Sequence, residues 1–249
     1  MNIIDCIWEI TNIGKKTVEI SINRNEFFDN DFLREIDSKF EYQVVKVDSG
    51  NIEANIQLEK NGFHLIETQI EVEKKLGDFN FNDSLVKYIE PDVSFLDVKS
   101  DDVFDAIFER MTPDMFITDR IAVDPYFGLN YSYKRYCSWM RTAFESQSAS
   151  FFEILYKGEH IGFSMYRVKD KIWHGDLGGL YPGYGQGLGL LTACGAFLYM
   201  RQRGMNITKL VSNISSNNVS VIPTFNYCHY NFKKFVYVFV KHNFNVGVN

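Results

Sequence analysis

Residues 180–191 read Leu180-Tyr181-Pro182-Gly183-Tyr184-Gly185-Gln186-Gly187-Leu188-Gly189-Leu190-Leu191. Gly185, Gly187 and Gly189 alternate directly after a strand-like run, Lys171 to Tyr181. The apolar stretch that follows, Leu190 to Met200, reads as a helix with small residues. A strand, a glycine turn and a helix N-terminus together make an anion site. Main-chain N–H groups point outward, the helix dipole favours negative charge, and glycine lets the backbone approach a phosphate closely. A pyrophosphate-bearing cofactor is therefore the first expectation; on this motif alone, the competing reading is a flexible turn.

Two common glycine fingerprints fit poorly. A dinucleotide-binding turn has the spacing G-x-G-x-x-G after the first strand, with an acid about 20 residues on. Here the spacing is G-x-G-x-G, late in the chain, and the segment after the helix, Lys209-Leu210-Val211-Ser212-Asn213, holds no acid. A phosphate loop ending in G-K-[ST] is absent, because Leu190-Leu191 follows Gly189.

Length and composition set the bounds. The 249 residues suffice for one large domain or two small ones, and 45% hydrophobic residues support a real core. The 22 Phe and 14 Tyr suit extensive sheet. A net charge of −6 argues against a nucleic-acid groove. There is no run of about 18 apolar residues, and Met1-Asn2-Ile3-Ile4-Asp5 lacks the features of a signal peptide. Cys6, Cys137, Cys194 and Cys228 are scattered without metal spacing and read as reduced thiols, and the histidines form no ligand pair, so the expectation is a cytoplasmic protein without a metal.

The composition shifts between Leu76 and Val93. Gly77-Asp78-Phe79-Asn80-Phe81-Asn82-Asp83 is polar and punctuated, and Glu90-Pro91-Asp92 stops a helix. This divides the chain into an N-terminal part, 1–90, and a C-terminal domain, 91–249. The first part shows a strand at 42–47, a helix at 51–60 ending at Gly62, and an alternating strand at 63–74. The second shows strands at 93–98, 151–156, 159–168, 171–181, 209–213 and 235–242, with helices near 101–111 and 131–144. The segment 218–230 contains Pro223 and reads as a short or irregular helix. Lys60-Asn61-Gly62-Phe63 before one alternating strand, and Tyr230-Asn231-Phe232 before another, suggest a faint internal repeat.

The glycine spacing resembles the acetyl-CoA motif of the GNAT N-acetyltransferases, R/Q-G-x-G-x-G/A. Leu180-Tyr181-Pro182 matches the apolar-x-Pro triplet that precedes it there, while Tyr184 takes the place of the usual Arg or Gln. The order of elements in 93–242 is also similar to that family's. Within it, Asp119-Arg120-Ile121-Ala122-Val123-Asp124-Pro125, Tyr136-Cys137-Ser138-Trp139, Gly162-Phe163 and Ser215-Ser216-Asn217-Asn218 resemble segments of the sugar-nucleotide enzymes of the dTDP-fucosamine acetyltransferase type. The resemblance covers about 40–242, in pieces; the first 40 residues add nothing to it.

The resemblance implies an α/β fold: a mixed sheet with a splayed V between its middle strands, plus an N-terminal partial copy. It implies transfer of acetyl from acetyl-CoA to a primary amine, here the amine of a nucleotide-linked amino sugar in surface polysaccharide synthesis, by a protein that forms a homodimer in one reading. The alternatives are transfer to another amine, of an amino acid or a protein, or a catalytically weak module that binds acyl-CoA.

Acetyl transfer requires a polarised thioester, a neutral amine, alignment and a protonated thiolate. The family pattern puts the thioester and pantetheine on Leu180 and Tyr181. It puts the pyrophosphate on the amides of Gly185, Gln186, Gly187, Leu188, Gly189 and Leu190, and places Asn218 beside the cofactor. His174 and Asp176, on the strand leading to the turn, are the candidate bases; their other readings are a solvated strand residue and a structural carboxylate. Arg120 and Asp124 are candidates for the nucleotide-sugar, arginine suiting bidentate phosphate contact, against an ion pair or helix cap. Tyr136 and Trp139 form a stacking platform or helix core. In the superfamily a tyrosine seven residues after the motif asparagine protonates the thiolate. Counting from Asn218 gives Phe225 and from Asn217 gives Thr224, so the nearest phenol, Tyr227, is the candidate acid.

Overall fold

A computed structural model describes residues 1–76 and 84–243. The Gly77–Asp83 linker expectation lies outside the described residues. The elements in chain order are β1 (Asn2–Asp5), α1 (Glu9–Ile13), β2 (Thr17–Ile22), α2 (Asn30–Lys39), β3 (Tyr42–Asp48), α3 (Ile52–Lys60) and β4 (His64–Lys75). Then come α4 (Ser84–Ile89), β5 (Val93–Asp97), α5 (Asp101–Arg110), α6 (Arg120–Val123), α7 (Leu129–Glu145), β6 (Ser150–Tyr156), β7 (Glu159–Lys169) and β8 (Ile172–Leu180). The last are α8 (Gly185–Leu188), α9 (Leu191–Gln202), β9 (Lys209–Ser215), α10 (Val221–Tyr227) and β10 (Asn231–His242). The alternating strands and apolar-striped helices fall close to the sequence expectation. The first 40 residues, silent in the sequence, form two strands and two helices. Pro223 sits in the first turn of α10, where a missing N–H is tolerated, so the helix forms but is short.

One ten-stranded mixed sheet runs through the whole molecule in the order β1-β2-β3-β10-β4-β9-β8-β7-β6-β5. Consecutive residues point to opposite faces of a strand, and this sorts the core into two layers. Val44 packs with Ile13 of α1 and Ile121 of α6, whereas Val45 packs with Leu33 and Ile36 of α2. Phe151 packs with Phe104 of α5 and Met140 of α7, whereas Phe152 packs with Leu198 of α9. Helices α1 and α5–α7 therefore cover one face, and α2, α3, α9 and α10 cover the other.

The internal repeat is stronger than its sequence suggests. β3 spans 42–48 and β9 spans 209–215; β4 spans 64–75 and β10 spans 231–242, so both strands recur at the same offset (209 − 42 = 167, 231 − 64 = 167). The turn hydrogen bonds recur at that offset too. Phe63 N–H donates to Leu58 O and Tyr230 N–H to Phe225 O, both at 3.0 Å, and Asn61 N–H to Gln57 O and Cys228 N–H to Thr224 O at 3.1 and 3.0 Å. The residue before each final strand is left-handed, Gly62 at φ 80° and His229 at φ 54°. The two copies meet about an approximate two-fold axis: β4 and β10 pair antiparallel, with Gln69 opposite Val236. Outside them Gln69 also faces Ser215 of β9, and Val236 faces Asp48 of β3. Each copy thus lends its last strand to the other. The boundary placed at residue 90 separates the sequence, while in the sheet β4 lies between β9 and β10.

Candidate functional site

Parallel strands β8 and β9 pair only from Ile172↔Lys209 to Gly175↔Ser212, and then diverge. A cleft of about 670 Å³ opens in the gap. Asp176 is the cause on the β8 side. Met165 faces Leu177 and Tyr166 faces Gly175, which leaves Asp176 as the extra residue of a β-bulge, a device that bends a strand.

The bend leaves main-chain groups unpaired. Tyr181 N–H donates to Ile161 O at 2.8 Å, so Ile161 and Tyr181 form a hydrogen-bonded pair across β7 and β8. Such pairs alternate along an antiparallel ladder. Gly162/Leu180 and Ser164/Gly178 are consequently non-hydrogen-bonded pairs. The N–H and C=O of Gly178 and Leu180 then point away from β7, into the space β9 has vacated. This is a free strand edge inside the molecule, ready to pair with an extended ligand.

The glycine turn closes one end of that edge. Gly187 has φ 78°, and a Cβ built on it, or on Gly185, meets nothing within 4 Å. The turn leads through α8 into α9, whose N-cap, Leu190, supplies no side-chain cap. Thr192 and Ala193 N–H at the start of α9 donate to Gly189 O and Leu190 O, at 3.1 and 3.0 Å, so the amides left to favour an anion lie ahead of them in the glycine turn. Gly183, Gly185, Leu191 and Thr192 line the cleft, as do Leu180, Tyr181 and Asn218. Gly187, Leu188, Gly189 and Leu190 belong to the turn but not to the cleft wall, and of Gln186 only the backbone, within α8, is described.

The other candidates are dispersed. Asp176 lines the cleft, but both its oxygens accept from Arg167, at 2.6 Å each. His174 faces Arg167 and Val211 in the ladder where β8 and β9 are still paired, outside the cleft wall. Tyr227 ends α10, is 42% exposed and lies off the cleft, whereas Phe225, two residues earlier, lines it. Two residues advance a helix by about 200°, so Phe225 and Tyr227 do not share a helix face. Asp124 is buried on His242, its Oδ2 lying 2.8 Å from Nε2, away from the cleft. Tyr136 lines the cleft wall; Trp139, nearly a turn further along α7, does not and is 40% exposed.

Arg120 lines the cleft but is already matched. Its guanidinium lies 3.9 Å from Glu9 and 3.8 Å from Glu19, and it is buried. Burial opposes the charge, and Tyr42, Glu19 and Glu9 outweigh it, holding Arg120 above its ordinary value. Arg135 pairs with Glu9 at 2.6 Å, and Lys46 with Glu19 at 2.7 Å. Asp119 caps α6 through Ala122 N–H and accepts from Ser132 Oγ, both at 2.8 Å. The Asp119-Arg120 pair of the sequence motif thus serves as helix cap and buried ion pair.

This chamber also contains residues the sequence did not single out. Glu67 of β4 is 5% exposed, lines the cleft, and accepts from Gln69 Nε2 at 3.2 Å. Burial, then Asp119, push the Tyr136 phenol up, and Glu67 adds to the effect. In sequence, Glu67, Glu71 and Glu73 look like the solvated side of one alternating strand. Only the pairing of β4 with β10, which sets Glu67 opposite Val238, brings the first of them to the cleft that Tyr136 of α7 also lines. Ser215 Oγ donates to Thr118 O at 3.1 Å, tying the segment before α6 across the cleft. No helix among the described residues is long and apolar enough to cross a membrane, and none of their His, Cys, Asp and Glu side chains form a group of three placed for a metal ion.

No protein-family sequence model matches the chain, and no curated protein sequence matches it. Solved structures do. A functionally unknown conserved protein from Staphylococcus epidermidis superposes with a TM-score of 0.58 at 12% identity, over 92% of this chain and 85% of that one. A GCN5-related N-acetyltransferase from Kribbella flavida gives 0.53 at 14% identity, over 90% and 80%. Another, from Sphaerobacter thermophilus, gives 0.50 at 9% identity, over 81% and 60%. The chain has the fold of the GCN5-related N-acetyltransferases, with a mixed sheet opened between two parallel strands.

Proposed function

We propose that the protein transfers an acyl group, acetyl in the simplest case, from acyl-CoA to a primary amine. The observation that carries this reading is the free edge of Gly178 and Leu180 running into an uncapped helix N-terminus through a glycine turn. The edge pairs with the amide-bearing pantetheine arm. The turn amides from Gly185 to Leu190 take the pyrophosphate, and the Gly185 and Gly187 positions leave it room. The N–H of Leu180 polarises the thioester carbonyl, a stabilisation of the oxyanion type. The amine approaches from the α7 face, where Glu67 and Tyr136 stand.

The finer reading, a nucleotide-linked amino sugar in polysaccharide synthesis, draws its support from the sequence resemblance. Arg120, its intended phosphate ligand, faces Glu9 and Glu19. A second reading, a module that binds acyl-CoA without efficient turnover, is favoured by Phe225, an apolar ring where the resemblance calls for a phenol at the cleft. The test is calorimetry with acetyl-CoA, followed by thiol release in the presence of a panel of amines. Absence of acetyl-CoA binding refutes both readings. Binding without thiol release for any amine selects the second.

A further inference from the structure

We propose that Glu67, a residue of the N-terminal copy, receives the ammonium group of the acceptor, and that the acceptor is a small cationic amine carrying no phosphate. The inference rests on the acyl-transfer reading and names the substrate class for the same cleft.

The first argument is charge. In the ion cluster at the α7 side of the cleft, Arg120, Arg135 and Lys46 supply three positive charges, and Glu9, Glu19, Glu67 and Asp119 supply four negative ones (3 − 4 = −1); the exposed Asp114 adds a further carboxylate to the cleft wall. Every cation there has a carboxylate partner. Glu67 has no cation within ion-pair distance among the described residues, and Asp119, bonded to Ala122 N–H and Ser132 Oγ, acts on Arg120 only through space. A buried carboxylate without a counter-ion is unfavourable unless a charged or hydrogen-bonding partner reaches it. A ligand with one positive charge neutralises that cluster; a nucleoside diphosphate adds two further negative charges to it.

The second argument is unmade hydrogen bonds. Asp119 Oδ2 and Arg120 Nε belong to cleft-lining residues, are buried, and have no partner. Buried polar atoms are nearly always paired. The orphans are one acceptor and one donor, beside a carboxylate. That set fits a molecule offering several N–H donors and one oxygen acceptor, such as an amino alcohol or a simple amino sugar. The third is position. Glu67 and Gln69 face the cleft on the α7 side, opposite the face of α9 and the glycine turn. An amine held there meets the Leu180 edge through the gap.

The reaction balances without further groups. The ammonium gives one proton to Glu67. The neutral nitrogen bonds to the acyl carbon, the carbon–sulfur bond breaks with its electron pair on sulfur, and the proton leaving nitrogen passes to the thiolate.

Two measurements on the full-length protein test the proposal. In the first, ethanolamine and glucosamine are added to the wild type and to Glu67→Gln, without acyl-CoA, and thermal stability is followed. Stabilisation of the wild type and loss of that shift in Glu67→Gln is the expected result. In the second, acetyl-CoA is present and thiol release is followed. Glu67→Gln raises KM for the amine by about tenfold or more, the loss expected for a hydrogen bond to a charged group, while acetyl-CoA affinity by calorimetry is unchanged. Equal amine binding by both proteins, or turnover of a nucleotide-linked amino sugar in preference to free glucosamine, overturns the proposal. Loss of acetyl-CoA binding in the wild type refutes the acyl-transfer reading itself. Glu67→Asp, which keeps the charge, guards against misfolding of the Gln variant and retains part of the amine response.

Discussion

Asn51 and Asn218 occupy the same place in two copies of one strand–helix–strand unit, and they have been put to opposite uses. Asn51 N–H donates to Asp48 O and Asn218 N–H to Ser215 O, at 3.3 and 3.0 Å, each closing the turn after its strand. The Asn51 side chain accepts from Ala54 N–H and donates to Asn23 O and Glu26 O, pinning the loop between β2 and α2. In that copy β2 and β3 pair along their whole length, from Thr17↔Tyr42 to Ile22↔Val47, and no V opens. Asn218 lines the open cleft, and its Oδ1 accepts from Ser220 Oγ, at 3.0 Å. One copy has sealed the gap with its asparagine; the other has kept it.

The two asparagines therefore respond differently to truncation. Asn51→Ala removes a helix cap, a change of about 0.5–2 kcal/mol, and two further donors, so urea unfolding shifts to lower concentration. Asn218→Ala leaves stability nearly unchanged and alters acetyl-CoA affinity. Matching stability losses in the two variants contradict this division of labour.

Gly187→Val tests the anion site. Left-handed backbone at a non-glycine residue carries strain of about 1–3 kcal/mol, and the new side chain fills the space left open beside the turn. Acetyl-CoA affinity falls by at least tenfold, about 1.4 kcal/mol, with the far-ultraviolet circular dichroism retained. Unchanged affinity removes the glycine turn from the cofactor site.

Tyr227→Phe has little effect on kcat. General acid catalysis contributes about 100- to 10,000-fold, and a fall of that size in this variant places the phenol at the thiolate after all. Phe225→Tyr is the informative partner. Phe225 is buried against the cleft and packs edge-on to Tyr230, with ring centroids 4.8 Å apart. A hydroxyl there reaches the sulfur if the cleft holds the thioester as proposed, and the pH profile of kcat gains an alkaline limb.

Much of this fold is legible in the sequence because its signals are local. The glycine turn and the alternation in 63–74 each follow from backbone chemistry within a dozen residues. The repeat is less legible. What recurs between 42–75 and 209–242 is hydrogen-bond register, while Gly62 becomes His229 and the Asn51 helix gains Pro223. The surroundings of the site residues are less legible for a related reason. Arg120 and Glu67 derive their meaning from neighbours on β2, α1 and α7, more than 40 positions away, and no periodicity encodes those partners.

Arg120→Met separates the structural role of that arginine from the nucleotide-binding one. Removing one member of a buried ion cluster destabilises by about 3–5 kcal/mol, so the melting temperature drops sharply. Burial raises the Glu19 carboxyl, but Lys46 and Arg120 outweigh it and set its value below the ordinary 4.5. A lowered carboxylate contributes stability that is complete above its unfolded value and is lost as pH falls through its folded one. In Arg120→Met the folded value moves up toward the unfolded one, so this contribution is smaller and its acid-side loss is complete at higher pH than in the wild type. Intact stability and a selective loss of nucleotide-sugar affinity favour the phosphate-ligand role instead.

The interleaved sheet makes the strongest demand on the two sequence halves. β4 supplies a hydrogen-bonding partner to β9 along Gln69↔Ser215 to Lys75↔Lys209, and to β10 along Asn231↔Glu73 to Val240↔His64. A protein beginning at residue 84 leaves facing edges on β9 and β10, and exposes Ile214, Leu210 and Tyr230, which are buried beside Ile70 and Val72. Unpaired apolar edges associate with one another. That fragment, expressed alone, is expected to aggregate and to bind no acetyl-CoA, although it contains the whole glycine turn. Co-expression with residues 1–76 restores a soluble complex, because the missing strand docks in the register set by Gln69 and Val236. A soluble, monomeric and acetyl-CoA-binding fragment from residue 84 onward shows that the second copy closes its own sheet and that the exchange of strands is dispensable.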